Sequence, residues 1–323
     1  MLTPPMDKAF FSAYFLPATL VLIMVGMGLS LSLQNFRNVL RFPRAVLVGL
    51  VAQMVVLPLL AFGLANAFGL APAYATGLMV VASCPGGASA GLISHLLKAN
   101  VALSMSLTTL NSLLCVFTIP WLVDLSLAHF MGQSVQISLP FGETVLDIAM
   151  ITLLPTGVGI WIRSQYPAFA KAADRPLRYL MPLMLLVAFA GVAGAEHRGT
   201  ESLVSVVRVL LPPTLLLNGL GMLLGLLLAF IFRLGPMSRI TIPLEVGLQN
   251  VSLAIFISQV MLNNNAMALV AVVYSSFSFG TAVLFGYTLR ETTRRVRRFL
   301  HFRRLAALRK TLKALQGKES QNP

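Results

Sequence analysis

The chain has 323 residues, of which 57% are hydrophobic and 11% charged, and its mean hydropathy is +0.83. This composition excludes an ordinary soluble domain and indicates a polytopic membrane protein. The formal net charge of +14 points to basic segments outside the membrane, and the only two cysteines, Cys84 and Cys115, cannot build a disulfide framework.

Apolar runs recur nine times along the chain. About 20 residues cross the hydrocarbon core as a helix, so each run is long enough, and the sixth is marginal. We therefore predict an all-α membrane protein with a transmembrane domain over 12–289, preceded by residues 1–11 and followed by a tail over 290–323. The predicted helices are 12–34, 45–69, 73–97, 101–125, 144–163, 179–195, 204–232, 237–262 and 267–289.

Basic residues lie almost entirely in alternate connections between these runs. With the tail, those connections hold 21 of the 24 Lys and Arg residues, and only Lys8, Arg198 and Arg208 lie on the other side. The positive-inside rule then predicts an extracytoplasmic N-terminus and a cytoplasmic C-terminus. Nine membrane crossings likewise place the two termini on opposite sides of the membrane. We expect an integral protein of the plasma membrane, in a bacterium the inner membrane.

The tail over 290–323 carries eleven basic residues. Apolar residues from Val296 to Leu315 recur between them at helical spacing. This pattern predicts an amphipathic helix lying on the anionic cytoplasmic leaflet, with anionic lipids as its partner. Nucleic acid is not an expected partner.

The eighth run contains the stretch Pro243-Leu244-Glu245-Val246-Gly247-Leu248-Gln249-Asn250. Proline lacks an N–H and glycine is flexible, so a helix here should break and leave carbonyl groups unpaired. A carboxylate inside the membrane costs about 3 kcal/mol and usually faces a cavity, a partner or an ion. We interpret the stretch as a cation site that includes Glu245 and Gln249. The alternative is an ion pair with an Arg of a neighbouring helix.

The third run contains a second break, from Ser83 through Cys84-Pro85-Gly86-Gly87 to Gly91. Close helix packing by small residues is the structural alternative. Each break lies in the second-from-last helix of its half, and the predicted topology makes the two helices run in opposite directions. This pattern is typical of an inverted repeat with one discontinuous helix in each half, here about 12–125 and 144–289. Helix N-termini at such breaks favour an anion and carbonyl groups favour a cation.

Three classes of function were weighed. A secondary transporter explains both breaks, the carboxylate within the span and the repeat. An enzyme is not expected, because no Ser/His/Asp or paired-carboxylate arrangement lies at membrane depth. A receptor would need a signalling domain, which the short basic tail does not supply. The four histidines are scattered, so neither a zinc site nor another cofactor is expected.

The chain resembles the bile acid:sodium symporter (BASS) family, in its nine-helix type, over roughly residues 10–290. The resemblance rests on Cys84-Pro85-Gly86-Gly87, on Ser104 through Thr108, and on Glu245-Val246-Gly247 with Gln249-Asn250. It implies a core domain, in which the broken helices three and eight cross and pack with helices two, four, seven and nine. Helices one, five and six would form a panel domain that moves relative to the core, giving alternating access.

The resemblance also implies two sodium sites behind the crossing. The first would use Gln53, Glu245 and Gln249 with the backbone of Val246 and Leu248. The second would use Ser104, Thr108 and Glu245 with a Ser-Asn pair, but this chain has Ala90 and Gly91 at those two positions. A hard cation needs several oxygen ligands, so we predict that the second site is weak or absent unless a shift of register brings in Ser89.

The implied substrate is an organic anion, such as a bile acid, a steroid sulfate or a small carboxylate, carried by a monomer. A proton on Glu245, or uncoupled transport, is the alternative to sodium, because a carboxyl group removed from water favours its protonated form. Arsenite-efflux permeases share the broader architecture, but Cys84 lies in a CPGG sequence rather than in their pattern. The substrate cleft would adjoin the broken helices at Pro85, Gly86, Gly87, Ala88, Ser89 and Asn250.

Overall fold

The computed structural model describes residues 16–132, 141–173 and 203–319, together with Tyr14, Pro176 and Leu180. Within these residues the regular structure is helical, and β pairing is limited to an isolated bridge between Gly86 and Gln249. Residues 1–11 and nearly all of the sixth predicted run, 179–195, lie outside the described residues. The total of nine helices therefore stays a prediction.

Besides a helical stretch over 167–173, eleven helices follow one another in the described residues. Five of them, α3, α6, α7, α8 and α11, are long and apolar enough to cross a membrane. The helices are α1 Leu16–Ser30, α2 Leu33–Arg41, α3 Pro43–Ala67, α4 Pro72–Ser83, α5 Ala88–Leu96, α6 Val101–Met131, α7 Gly142–Gln165, α8 Leu203–Ile231, α9 Ser238–Gly247, α10 Val251–Met261 and α11 Asn265–Glu319.

Prolines account for several local features of these helices. Pro43 and Pro72 lie in the first turns of α3 and α4, where a backbone N–H has no acceptor within the helix, so its absence in proline costs no hydrogen bond. Inside α3 and α7, the prolines at 58 and 155 follow π-helical turns, Ala52–Val56 and Ala149–Leu153. A wider turn accommodates the proline ring and the bond it cannot make. The π turn of α3 carries Gln53, so this distortion helps to position a candidate site residue.

The two interrupted spans lie inside the bundle. Residues 75–83 of α4 are all buried, and so is every residue of α9 except Arg239. The first interruption separates α4 from α5, and the second separates α9 from α10. Around them, α4 packs against α3, α6 and α11, while α9 packs against α6, α8 and α11. Irregular backbone at membrane depth requires such enclosure by protein.

Helix α1 packs chiefly against α7. Gly28 and Gly159 face each other, and a Cβ at Gly159 would lie 2.8 Å from the Gly28 Cα, inside normal contact distance. The Arg163 side chain also donates a 2.7 Å hydrogen bond to the Leu29 carbonyl near the end of α1. Paired glycines let two helix backbones approach closely. The division into core and panel domains stays a prediction.

Helix α11 is longer than its predicted transmembrane run. Its 55 residues form one uninterrupted helix from Asn265 to Glu319, and the helix continues past residue 290, where we expected the tail to begin. At 1.5 Å per residue it extends for about 80 Å. The first part of the basic tail is therefore a direct continuation of the last span.

Candidate functional site

The two interruptions pair with each other. The Gly87 N–H donates to the Leu248 carbonyl at 2.9 Å, and the Asn250 N–H donates to the Pro85 carbonyl at 2.8 Å. Together with the Gly86–Gln249 bridge, these bonds make a short antiparallel contact. Backbone groups released from two helices at membrane depth thus bond to one another, which removes much of the cost of breaking the helices.

Side chains stabilise the ends of the interrupted helices. Asn250 caps α10, because its Oδ1 accepts from the Leu253 N–H at 3.2 Å. At the end of α9, the Gly247 carbonyl accepts from Asn218 Nδ2 at 2.7 Å and from the Tyr274 hydroxyl at 2.9 Å. The orientation of the second interruption therefore depends on α8 and α11 as well as on its own sequence.

Glu245 lies on α9, just before the second interruption, and its side chain is 1% exposed. The Ser104 hydroxyl donates to Oε1, and the Thr108 hydroxyl lies 3.3 Å from Oε1 and 3.1 Å from Oε2. Among the described residues, no Lys, Arg or His forms an ion pair with this carboxylate. The alternative of an Arg–Glu bundle contact therefore has no counterpart in the described part of the chain.

Gly86 leaves room for that carboxylate. A Cβ at this position would lie 2.5 Å from Glu245 Oε2 and 3.4 Å from the Glu245 carbonyl oxygen. The first interruption thus contacts the carboxylate with bare backbone. A side chain at position 86 would collide with Glu245, which lies on the other interrupted span.

Gln53 and Gln249 connect α3 to both interruptions. Gln53 Nε2 donates to Gln249 Oε1 at 2.7 Å and to the Cys84 carbonyl at 3.0 Å. Gln249 Nε2 donates to the Val246 carbonyl at 2.6 Å. Gln53 Oε1 is buried and has no hydrogen-bond partner among the described residues. The Gln53 amide group thus forms interhelical hydrogen bonds through its nitrogen, while its oxygen is still available to a ligand.

Three members of the first predicted group of cation ligands are therefore in contact around the second interruption, whereas the Glu245 carboxylate contacts Ser104 and Thr108. Gln53, Gln249 and the Val246 carbonyl form one hydrogen-bonded chain, while the Leu248 carbonyl is engaged by Gly87. Glu245 lies one residue before Val246 on the same element. In this arrangement, amide N–H groups occupy oxygens that a cation would need.

The second predicted group is only partly assembled. Ser104 and Thr108 meet Glu245, as described above, but Ala90 and Gly91 are buried in α5 and offer no side-chain oxygen. A Cβ at Gly91 would collide with the Met105 terminal methyl group. Ser89, at the start of α5, is partly exposed. The Met105 side chain thus occupies the space that a larger side chain at position 91 would need.

The assembled groups offer oxygen ligands, which hard cations prefer. One carboxylate, two amides, two hydroxyls and several carbonyl groups supply oxygen ligands, which suit alkali and alkaline-earth cations. Among the described residues, no cluster of three His, Cys, Asp or Glu could hold a transition metal.

Sequence reasoning missed part of the support for this site. Asn218 bonds to the Gly247 carbonyl through Nδ2, and its Oδ1 accepts from Thr281 Oγ1 at 2.6 Å. The role of Tyr274, which is 0% exposed, was not predicted. A buried tyrosine hydroxyl requires a hydrogen-bond partner. The sequence could therefore indicate that Tyr274 forms such a bond if buried, but not that the Gly247 carbonyl accepts it.

The chain is similar in sequence to known proteins. The model of the sodium bile acid symporter family matches residues 17–197, which is more than half of the chain. An uncharacterized sodium-dependent transporter from Bacillus subtilis, YocS, is 31% identical over 230 residues, covering 71% of this chain and 68% of the relative. Human sodium/bile acid cotransporter 4 is 30% identical over 239 residues, covering 74% of this chain.

The chain spans 54% of the human relative's length, and similarity is therefore limited to part of that protein. The family match, the bacterial relative and the apolar helices agree on an integral membrane protein. The chain belongs to the sodium bile acid symporter family.

Proposed function

We propose that the protein is a sodium-coupled symporter of an organic anion. The observation that carries the proposal is Glu245, a buried carboxylate beside two paired helix interruptions, with no ion-pair partner among the described residues. A buried charge in a membrane protein needs compensation. A bound monovalent cation would supply it, and family membership makes sodium the first candidate.

We assign the sodium site to Gln53, Glu245, Gln249 and the carbonyl groups of Val246 and Leu248. The Gln53 Oε1 atom supports this assignment, because it is a buried oxygen that has no hydrogen-bond donor within the described part of the chain. Binding would require the amide groups of Gln53 and Gln249 to exchange their mutual hydrogen bond for contacts to the ion. Sodium would then link α3 and both interruptions, so its binding would stabilise the region that receives substrate.

We further propose that one sodium ion, rather than two, accompanies each substrate. The second group lacks side-chain oxygens at Ala90 and Gly91, and the Met105 methyl group fills the adjacent space. Ser104 and Thr108 instead act as hydrogen-bond donors that hold the Glu245 carboxylate in position.

The substrate in this proposal is an organic anion bound next to the paired interruptions. Helices α5 and α10 both begin there, at Ala88 and Val251. The positive ends of helix dipoles favour negative charge. The proposal further includes nine transmembrane helices, movement of a panel domain against a core and a cytoplasmic C-terminus. The basic end of α11 would contact anionic lipids of the inner leaflet.

Thermal stability of the purified protein in a sodium series tests sodium binding without knowledge of the substrate. Potassium or choline keeps the ionic strength constant. A dissociation constant of about 10 mM predicts about 1.4 kcal/mol of stabilisation at about 100 mM sodium. Glu245→Gln and Gln249→Ala should abolish the sodium effect, whereas Ser104→Ala, which removes one of two positioning hydrogen bonds but no ligand, should weaken the effect without abolishing it. Absence of a sodium-specific effect in the unmodified protein would refute sodium coupling and make proton-dependent uptake the next measurement.

A further inference from the structure

A line of polar residues continues along α6 beyond the hydroxyls that contact Glu245. Ser104, Thr108 and Asn111 follow one another at intervals of four and three residues, so they share one face of the helix. Ser112 flanks them. The first two residues of this line bond to the Glu245 carboxylate. The same face therefore leads from the carboxylate, one turn further along α6, to Asn111.

Asn111 is buried and its amide group is unpartnered. The side chain is 1% exposed, and neither Oδ1 nor Nδ2 has a hydrogen-bond partner among the described residues. The buried hydroxyl of Ser112 also lacks one. An amide in an apolar environment without partners costs several kcal/mol. Intramembrane asparagines usually stabilise helix contacts by interhelical hydrogen bonds, and Asn111 makes none with the described residues.

The chemistry of these three groups identifies their ligand. Asn111 presents both an acceptor and two donors, and the Ser112 hydroxyl can donate and accept. A bare cation would satisfy Oδ1 and the hydroxyl but would be repelled by the Nδ2 hydrogens. Water matches all of them, because it accepts from Nδ2 and donates to oxygen. Buried water is expected at polar sites that offer two to four partners.

We propose that Asn111 and Ser112 hold water in a narrow passage along α6, and that the coupling cation reaches Glu245 through this passage while still partly hydrated. The inference rests on the proposed sodium coupling, but it assigns to Asn111 a role separate from the direct ligands. Asn111 holds water that hydrates the ion before the ion reaches the carboxylate.

Thiol labelling tests the passage. Asn111→Cys and Ser112→Cys are treated with methanethiosulfonate ethylammonium, a small cationic reagent that needs water to reach its target. Peptide mass mapping separates the new thiols from Cys84 and Cys115. The control is Ser106→Cys, on the same helix and buried at 0% exposure, but about 160° around the helix from Ser104 and therefore away from the polar face. Ser112→Cys changes one atom only, so it keeps the test available if Asn111→Cys does not fold.

We expect labelling at positions 111 and 112 to be at least tenfold faster than at position 106, and saturating sodium to slow it severalfold relative to choline. Equal rates at all three positions would overturn the passage. Fast labelling at a rate that does not change with sodium would overturn the link between the passage and the cation site. Sodium-dependent melting of the unmodified protein is measured separately, so failure of the passage is distinguishable from failure of sodium coupling.

Discussion

Gly86→Ala probes the contact between the two interruptions with the smallest possible change. The new methyl group would lie 2.5 Å from Glu245 Oε2. Carbon and oxygen atoms rarely approach within 3 Å, so the carboxylate must retreat by about 0.5 Å or more. Gly86 does not have a left-handed backbone conformation, so alanine introduces no strain of its own. The substitution therefore isolates the position of the carboxylate.

The displaced carboxylate should bind sodium less well while the fold persists. Ion sites tolerate positional errors of only about 0.5 Å, so we expect about tenfold weaker binding, equivalent to about 1.4 kcal/mol. With a native dissociation constant of about 10 mM, stabilisation by about 100 mM sodium should fall from about 1.4 to about 0.4 kcal/mol. Melting curves in detergent or nanodiscs across a sodium series measure this difference.

Gly63→Ala is the matched control for this experiment. It lies in α3, and a Cβ there would meet no atom within 4 Å. Alanine is the better helix former, so this variant should keep the full sodium effect and show equal or higher baseline stability. An unchanged sodium dissociation constant in Gly86→Ala would refute the argument that Gly86 sets the position of the carboxylate.

Three further substitutions test neighbouring parts of the structure. Thr108→Val removes a donor to the buried carboxylate and should lower the free energy of unfolding in sodium-free buffer by about 1–3 kcal/mol; an unchanged melting curve would argue against this hydrogen bond. Tyr274→Phe removes one of the two donors to the Gly247 carbonyl and should cost about 1 kcal/mol in the same melt, with Tyr287→Phe, on an exposed position of α11, as the neutral control. Gly159→Ala forces a methyl group against the α1 backbone and should cost about 1–3 kcal/mol, whereas a melt identical to that of Gly157→Ala, where a Cβ meets nothing, would contradict close α1–α7 packing.

The interruptions could be predicted from sequence because their cause is local. Proline lacks an N–H wherever it lies and glycine is flexible, so both residues in an apolar run predict a distorted helix. Pro85 lies in the first interruption, at residues 84–87, whereas α9 continues through Pro243 to Gly247 and the second interruption follows at residues 248–250. The apolar runs likewise predicted most helices, since burial in lipid depends on composition. The position of Gln53 in a π turn was not predicted, because that turn depends on how α3 packs around its proline.

Composition and local backbone chemistry alone thus determined a helical membrane protein with two broken spans and a carboxylate beside one of them. Only the tertiary structure decided that the breaks pair with each other, that Ser104 and Thr108 bond to Glu245, and that Met105 fills the space beside Gly91. Only the structure shows that α11 continues past residue 290 and that Asn111 is buried without a partner among the described residues. The physical reason is distance. These contacts join residues up to about half the chain apart, and their geometry follows from helix packing, which no single stretch of sequence specifies.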